Sequence, residues 1–381
     1  MDSFGNSGLA SPRRYRSGFA LSRRTLLKGA VGAASTAALT SYAGRAGMSF
    51  AADVESQLSM MGWADYINPD DIKAWEKMTG SKLIYDSYAS NDEMYSKLQL
   101  SQGNSGYDLG MNTDFMIPLL IKGQLIQKYD KSLVPNFKNV RPDIAGPDFD
   151  PGNDYTVPKS WGSEGFIYDK SIITREMKTW GDFLEAIRNE ASGRASLLDD
   201  PLAVAPLFWS KGISWNTTDE AALKDAEAEV EKLGKHIKTF NSYPVQDVAA
   251  GTVILAQCWN GNARQAIDQS KNPNLVFVYG APITEAWLDS YHLPVGGQHL
   301  KAAHSWVNYV LDPEIAAKEI TYTGFLSPVS GVEKFLDPKV AADSLIFPPP
   351  DVMKRGERTQ RNDTYERRIQ MLTKLKAAAA L

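Results

Sequence analysis

Short alternating units of strand and helix constrain this chain more than any other feature. Gln57–Trp63 reads as a buried strand. Asn68-Pro69 then supplies a helix cap and a first helical position, Ile72, Trp75 and Met78 an apolar stripe, and Gly80 a stop. Leu83-Ile84-Tyr85 is the next strand. Ser90-Asn91-Asp92-Glu93 has the form of a capping box, with Met94 and Leu98 turned inward behind it. Tyr107–Met111 is a third strand, and Thr113 is placed to cap the helix that begins at Asp114-Phe115. Strand, helix, strand, helix at this spacing predicts a parallel sheet with crossover helices, an α/β fold.

Ligands of such sheets lie beyond the carboxyl ends of the strands. Trp63, Tyr66, Thr113, Asp114 and Phe115 all fall there. The same placement recurs further on. Ile254–Trp259 reads as a strand entering Asn260-Gly261-Asn262, and Ala286-Trp287-Leu288-Asp289-Ser290 carries a tryptophan two residues before a carboxylate. Residues i and i+2 of a strand share a face. Trp287 and Asp289 would therefore turn an aromatic surface and a negative charge to one point, which suits an organic cation.

The remainder fits a second lobe. Asp130–Pro158 reads as loop, rich in Pro, Asp and Asn, and leads to a strand at Gly165–Tyr168. We place the first crossing between lobes here and the return near Trp287–Ser290. Ser196–Pro201 is a strand ending in carboxylates, and Asn216–Asp219 caps a helix with Leu223, Ala226 and Val230 on one face. Tyr365, Ile369, Leu372 and Leu375 form a helical stripe suited to lobe packing. The expected division is 53–162 plus 290–330 for one lobe and 163–289 for the other, with 331–381 packing on both.

The first fifty residues read as a leader. A basic segment with Arg23-Arg24-Thr25-Leu26-Leu27-Lys28 precedes a short run of Gly, Ala, Ser and Thr, the pattern of a twin-arginine export signal over 1–52. Those residues hold seven Lys/Arg against one Asp, so of a formal −4 for the whole chain the remainder carries −10. That acidity argues against nucleic acid and accommodates a cationic ligand. A single cysteine, Cys258, excludes an internal disulfide framework.

Several segments together resemble the periplasmic spermidine/putrescine-binding proteins of ABC importers: Ser87–Leu98, Gly106-Tyr107-Asp108-Leu109, Ile126–Ser132, Phe149-Asp150-Pro151, Trp161-Gly162, Cys258-Trp259-Asn260-Gly261 and Trp287-Leu288-Asp289-Ser290. The match is collinear and covers essentially the whole chain after the leader. The resemblance implies a bilobal, type 2 periplasmic-binding-protein fold, two parallel-sheet lobes joined by hinge strands. It also implies a periplasmic monomer that delivers a small cationic amine to ABC permease subunits in the inner membrane, without cofactor, metal or catalysis. In that family aromatic rings enclose the methylenes of the polyamine and carboxylates bind its ammoniums. The matching positions are Trp63, Tyr66, Thr113, Asp200, Ser242, Trp259, Trp287 and Asp289.

The chain departs from that pattern at several points. Ala203 stands where the family often has Glu, and Phe115 and Phe325 stand where it has Tyr. A polar residue near the C-terminus maps to Gln360. Asp114, Glu164 and Glu285 are acids near the expected cleft that would compensate. These differences leave open another amine or an opine-like conjugate as ligand. A secreted transferase or lyase using Cys258 is a third reading, and strand alternation opposes it: if Trp259 lines the cleft, Cys258 faces the lobe interior.

Overall fold

The computed structural model describes residues 54–380; the leader expected at 1–52 lies outside the described residues. β1 (Gln57–Gly62), β2 (Lys82–Ser87) and β3 (Leu109–Thr113) alternate with the Pro69–Thr79 and Asn91–Ser101 helices. Both β2 and β3 pair with β1 in parallel. The local signals act as their chemistry requires. Asn68 accepts the Asp70 N–H at the first helix, Gly80 closes that helix at φ 75°, and Ser90 accepts the Glu93 N–H at the second. Two expectations fail. Met78 is 38% exposed, because the stripe of its helix reaches the core only through Ile72 and Trp75. Thr113 forms no cap bond, because its hydroxyl is engaged by a carboxylate described below.

After β4 (Ile126–Gln127) and two 3-10 turns the chain enters β5 (Thr156–Asp169). This is one strand of 14 residues where the sequence suggested a loop and then a strand from Gly165. β6 (Ala195–Leu197), β7 (Ile237–Phe240), β8 (Leu255–Trp259), β9 (Leu275–Val278), β10 (Thr284–Pro294) and the short β11 (Gly356–Glu357) complete the sheet. The order is β2-β1-β3-β10-β5-β8-β6-β7, with β4 and β11 against β10 and β9 against β5. Parallel pairing at either end, β2-β1-β3 and β8-β6-β7, is joined through antiparallel β10 and β5.

Each end of the sheet has its own core. One is built on Leu58, Met60, Trp75, Trp306 and Ile320, flanked by a smaller cluster around Met61, Met94 and Leu120. The other is built on Phe166, Trp180, Phe183, Trp209, Trp215 and Val230. The Tyr365–Ala379 helix adds Tyr365, Met371 and Leu375 to this second core. The fold is bilobal α/β, and β5 and β10 run from one lobe into the other.

Candidate functional site

Where β5 and β10 pass between the lobes, side-chain alternation sets one face of the sheet toward a cavity of about 690 Å³, counting its open mouth. On β10 the cavity residues are Glu285, Trp287 and Asp289, spaced by two as a strand dictates. Trp287 pairs with Gly162 and Glu164 pairs with Trp259. Gly162 is required by this packing, since a Cβ there would lie 2.6 Å from Trp287 Cζ2. Gly261 plays the same part for Phe325, whose ring would meet a Cβ at 2.6 Å.

Asp289 is 4% exposed and held by three donors. Its Oδ2 accepts from Trp63 Nε1 at 3.0 Å and from the Tyr66 hydroxyl at 2.8 Å, and its Oδ1 accepts from the Thr113 hydroxyl at 2.7 Å. Asn91 Nδ2 in turn donates to Thr113 Oγ1, which fixes the direction of that hydroxyl. Burial raises the pKa of Asp289, while the three donors and the charge of Lys159 pull it back down. Lys159 is itself buried, 2.9 Å from Glu319 and 3.7 Å from the centre of the Tyr66 ring.

The opposite end of the cavity is built differently. Glu285 Oε1 accepts from the Thr359 hydroxyl at 3.0 Å, and Oε2 from Trp259 Nε1 at a long 3.4 Å. Behind it lies Glu164, fully buried, whose Oε1 accepts from Gln257 Nε2 and whose Oε2 has no hydrogen-bond partner. Burial, then the Glu285 charge, pushes the Glu164 pKa well up; burial, then the Asp200 charge, does the same to Glu285. Asp200 accepts the Leu202 N–H, and burial raises it to about 6.

Aromatic groups wall the space between. Trp287 and Tyr66 each meet Phe325 edge-on, at 5.1 and 5.5 Å. Trp63 leans on Tyr88 at 4.4 Å, and Phe115 lies 6.0 Å from Tyr365. The arrangement offers apolar sides with anionic ends, the form that an alkyl chain bearing ammoniums requires.

Of the residues expected from the sequence, Trp63, Tyr66, Thr113, Phe115, Asp200, Trp259, Trp287, Asp289 and Phe325 line the cavity. Asp114 and Ser242 do not. The Asp114 carboxyl turns to the Phe115 N–H and to Arg358, 3.4 Å away, and burial raises its pKa to about 7. Ser242 Oγ accepts the Asp199 N–H, and its neighbour Tyr243 takes the cavity position. Asn262, in the turn singled out after Trp259, also lines the cavity, and so do Asn91, Tyr243, Thr359 and Tyr365, which the sequence does not mark as site residues. Asn91 was hidden inside a capping box and Tyr365 at the start of an amphipathic helix. The Gln360 backbone N–H bonds Asn216, and Thr359 beside it reaches the cavity instead. Cys258 is fully buried with Ile167, Val248 and Ala263, on the face opposite Trp259, and burial pushes its thiol pKa up.

Two lobes joined by long shared strands, with an acidic aromatic cleft between them, define a bilobal solute-binding protein rather than an enzyme. A family model described as bacterial extracellular solute-binding protein matches residues 71–348, and the chain belongs to that family. A spermidine/putrescine-binding periplasmic protein of Escherichia coli (strain K12) is 32% identical over 315 residues, covering 82% of this chain and 89% of its own. The putrescine-binding periplasmic protein SpuD of Pseudomonas aeruginosa is 29% identical, with 84% and 90% covered. The solved spermidine/putrescine substrate-binding protein PotD of Streptococcus pneumoniae shares the fold, with TM-score 0.70 and 24% identity over 85% of this chain and 100% of its own.

Proposed function

We propose that this protein is the extracytoplasmic receptor of an ABC importer for a polyamine. The observation that carries the reading is Asp289, a buried carboxylate held by three donors and walled by Trp63, Trp287 and Phe325. The acids Asp200 and Glu285 line the same cavity, and no Lys or Arg is among its described lining residues. Buried acids without a counter-ion are costly, and a bound ammonium offsets that cost. An opine-like zwitterion would bring a carboxylate of its own and finds no cation in this lining to receive it. The names of the relatives agree with an amine ligand.

In this reading Trp63, Tyr66, Phe115, Trp259, Trp287 and Phe325 enclose the methylenes, and Asp289 and Asp200 bind ammoniums. The protein acts as a monomer, docks on permease subunits in the inner membrane, does not bind nucleic acid and is exported folded by the twin-arginine route. Calorimetric titration with putrescine and spermidine tests the ligand class. Saturable one-to-one binding of either amine is expected. Absence of heat and of any thermal shift with both amines, together with binding of an acidic or neutral solute, would sink it.

A further inference from the structure

Glu285 is not among the positions matched above to the polyamine-receptor pattern, and it faces the cavity. It stands four residues before Asp289 on β10, with Trp287 between them on the same face. Four residues of extended strand separate their Cα atoms by about 13 Å. The acid that the pattern leads one to expect is absent: Ala203 is 1% exposed, packed in the second lobe's core.

The two ends differ in what they still need. A carboxylate offers about four lone-pair sites. Asp289 fills three of them with good hydrogen bonds and has Lys159 nearby. Glu285 has one good bond and one long one. The groups acting on it are Asp200 and Asp114, which share its sign, and the Thr359 and Trp259 donors. Glu164 follows Ser163, which is paired with Ala286, so the register sets it beside Glu285 on the cavity side of the sheet. Its Oε2 is buried and unpartnered. The Trp259 indole reaches across to Glu285, so the cavity end is closed by an aromatic ring. A partnerless buried oxygen behind an under-bonded carboxylate, beneath an aromatic wall, marks a place for a cation.

We propose that Glu285, backed by Glu164, is a cation anchor of the cleft beyond Asp289 and Asp200, and the residue that selects a long polyamine over a short one. The inference rests on the polyamine reading and deepens it. An extended triamine with arms of three and four methylenes spans roughly 11 Å between its terminal nitrogens, against roughly 6 Å for a four-carbon diamine. Both carboxylates stand out from the same strand face into the cavity, so ammoniums resting over them sit roughly the Cα separation apart, and only the longer molecule approaches that span. Its methylenes then run past Trp287, which lies between the anchors.

The test is calorimetric titration of the wild type, Glu285→Gln and Glu285→Asp with spermidine, putrescine and a diamine of eight methylenes. The last has the length of the triamine without its central charge. The wild type is expected to bind the triamine and the long diamine at least about tenfold more tightly than putrescine. Glu285→Gln should weaken both long ligands at least about tenfold and putrescine less than about threefold, erasing the preference, while Glu285→Asp retains most of it. Far-ultraviolet dichroism and melting confirm folding of each variant. Equal losses for all three amines, or none, would overturn the role of Glu285 while leaving the polyamine reading intact. No binding of any amine by the folded wild type would remove both.

Discussion

The two ends of the cleft solve the same problem, a buried carboxylate, in opposite ways. Around Asp289 the protein supplies nearly everything: an indole N–H, a phenol, a threonine hydroxyl held by Asn91, and the ammonium of Lys159 behind the Tyr66 ring. Around Glu285 it supplies little, and a second glutamate is packed behind. The first end is built before ligand arrives. The second is completed by the ligand. The difference teaches where each end's energy resides: preorganised donors confer strength without a cost at binding, whereas an acid left short of partners confers dependence on the incoming charge.

The largest effect is expected at the prebuilt end. Asp289→Asn removes the charge that three donors converge upon, and leaves the Thr113 and Tyr66 hydroxyls facing an amide. Loss of one partner of a desolvated charge pair costs about 2–5 kcal/mol. Titration of Asp289→Asn with any amine the wild type binds should therefore show a loss of about thirtyfold or more. A loss below tenfold would mean that the Glu285 end dominates and that the comparison is inverted.

Lys159→Met addresses the same end from behind. It strands Glu319 in the interior, and breaking a buried pair costs about 3–5 kcal/mol. The denaturation midpoint should fall accordingly. The variant should also need a higher pH for full amine affinity, because Lys159 helps to keep Asp289 ionised. An unchanged midpoint would show that water replaces the ammonium at no net loss.

The under-bonded end should register in pH dependence. Asp200 at about 6, together with Glu164 and Glu285, lies above its ordinary value in the empty protein. A raised carboxyl stabilises the fold fully below its unfolded value near 4, and that contribution is lost as pH rises through the folded value. The protein without amine should accordingly lose stability from about pH 4 upward until about pH 8, where Glu285 titrates, while a bound cation compensates. The amine-induced rise in melting temperature should grow between pH 5 and pH 8. A rise that is constant over this range would show that these acids do not meet the ligand.

The Asp289 end was legible in the sequence because its parts are local: Trp287 and Asp289 are two residues apart on one strand, and Trp63 and Tyr66 follow another. The crossover fold was legible for the same reason, since Asn68, Pro69 and Gly80 bound their helix chemically. The Glu285 end was only partly legible. Glu285 and Glu164 stood out as acids, but their apposition depends on the register between β5 and β10, which side-chain periodicity does not determine. Thr359 and Tyr365 arrive from the far C-terminal segment, where no local pattern announces a cavity and only the family resemblance points there, through Gln360. Thr113 illustrates the reverse failure. A threonine before a helix reads as a cap, yet tertiary competition from Asp289 claims its hydroxyl.

That C-terminal segment yields the smallest effect. Glu357 is fixed to the second lobe by Trp209, Ser214 and Trp215, and Tyr365 enters that lobe's core. Between them, Arg358 approaches Asp114 and Arg361 pairs with Asp92, both acids lying in the first lobe's portion of the chain. Arg361 also stacks over the Tyr365 ring at 4.9 Å. The segment therefore straps the lobes together beside the cavity. Its ion pairs are partly exposed, worth about 0.2–1 kcal/mol each and screened by salt. Arg361→Gln should raise the amine dissociation rate in stopped-flow fluorescence by about 1.4- to fivefold at low salt, the equivalent of that energy. The effect should shrink as salt is added, with little change in association rate. A change in association rate alone would place the arginine in ligand steering and break its assignment as a strap across the closed cleft.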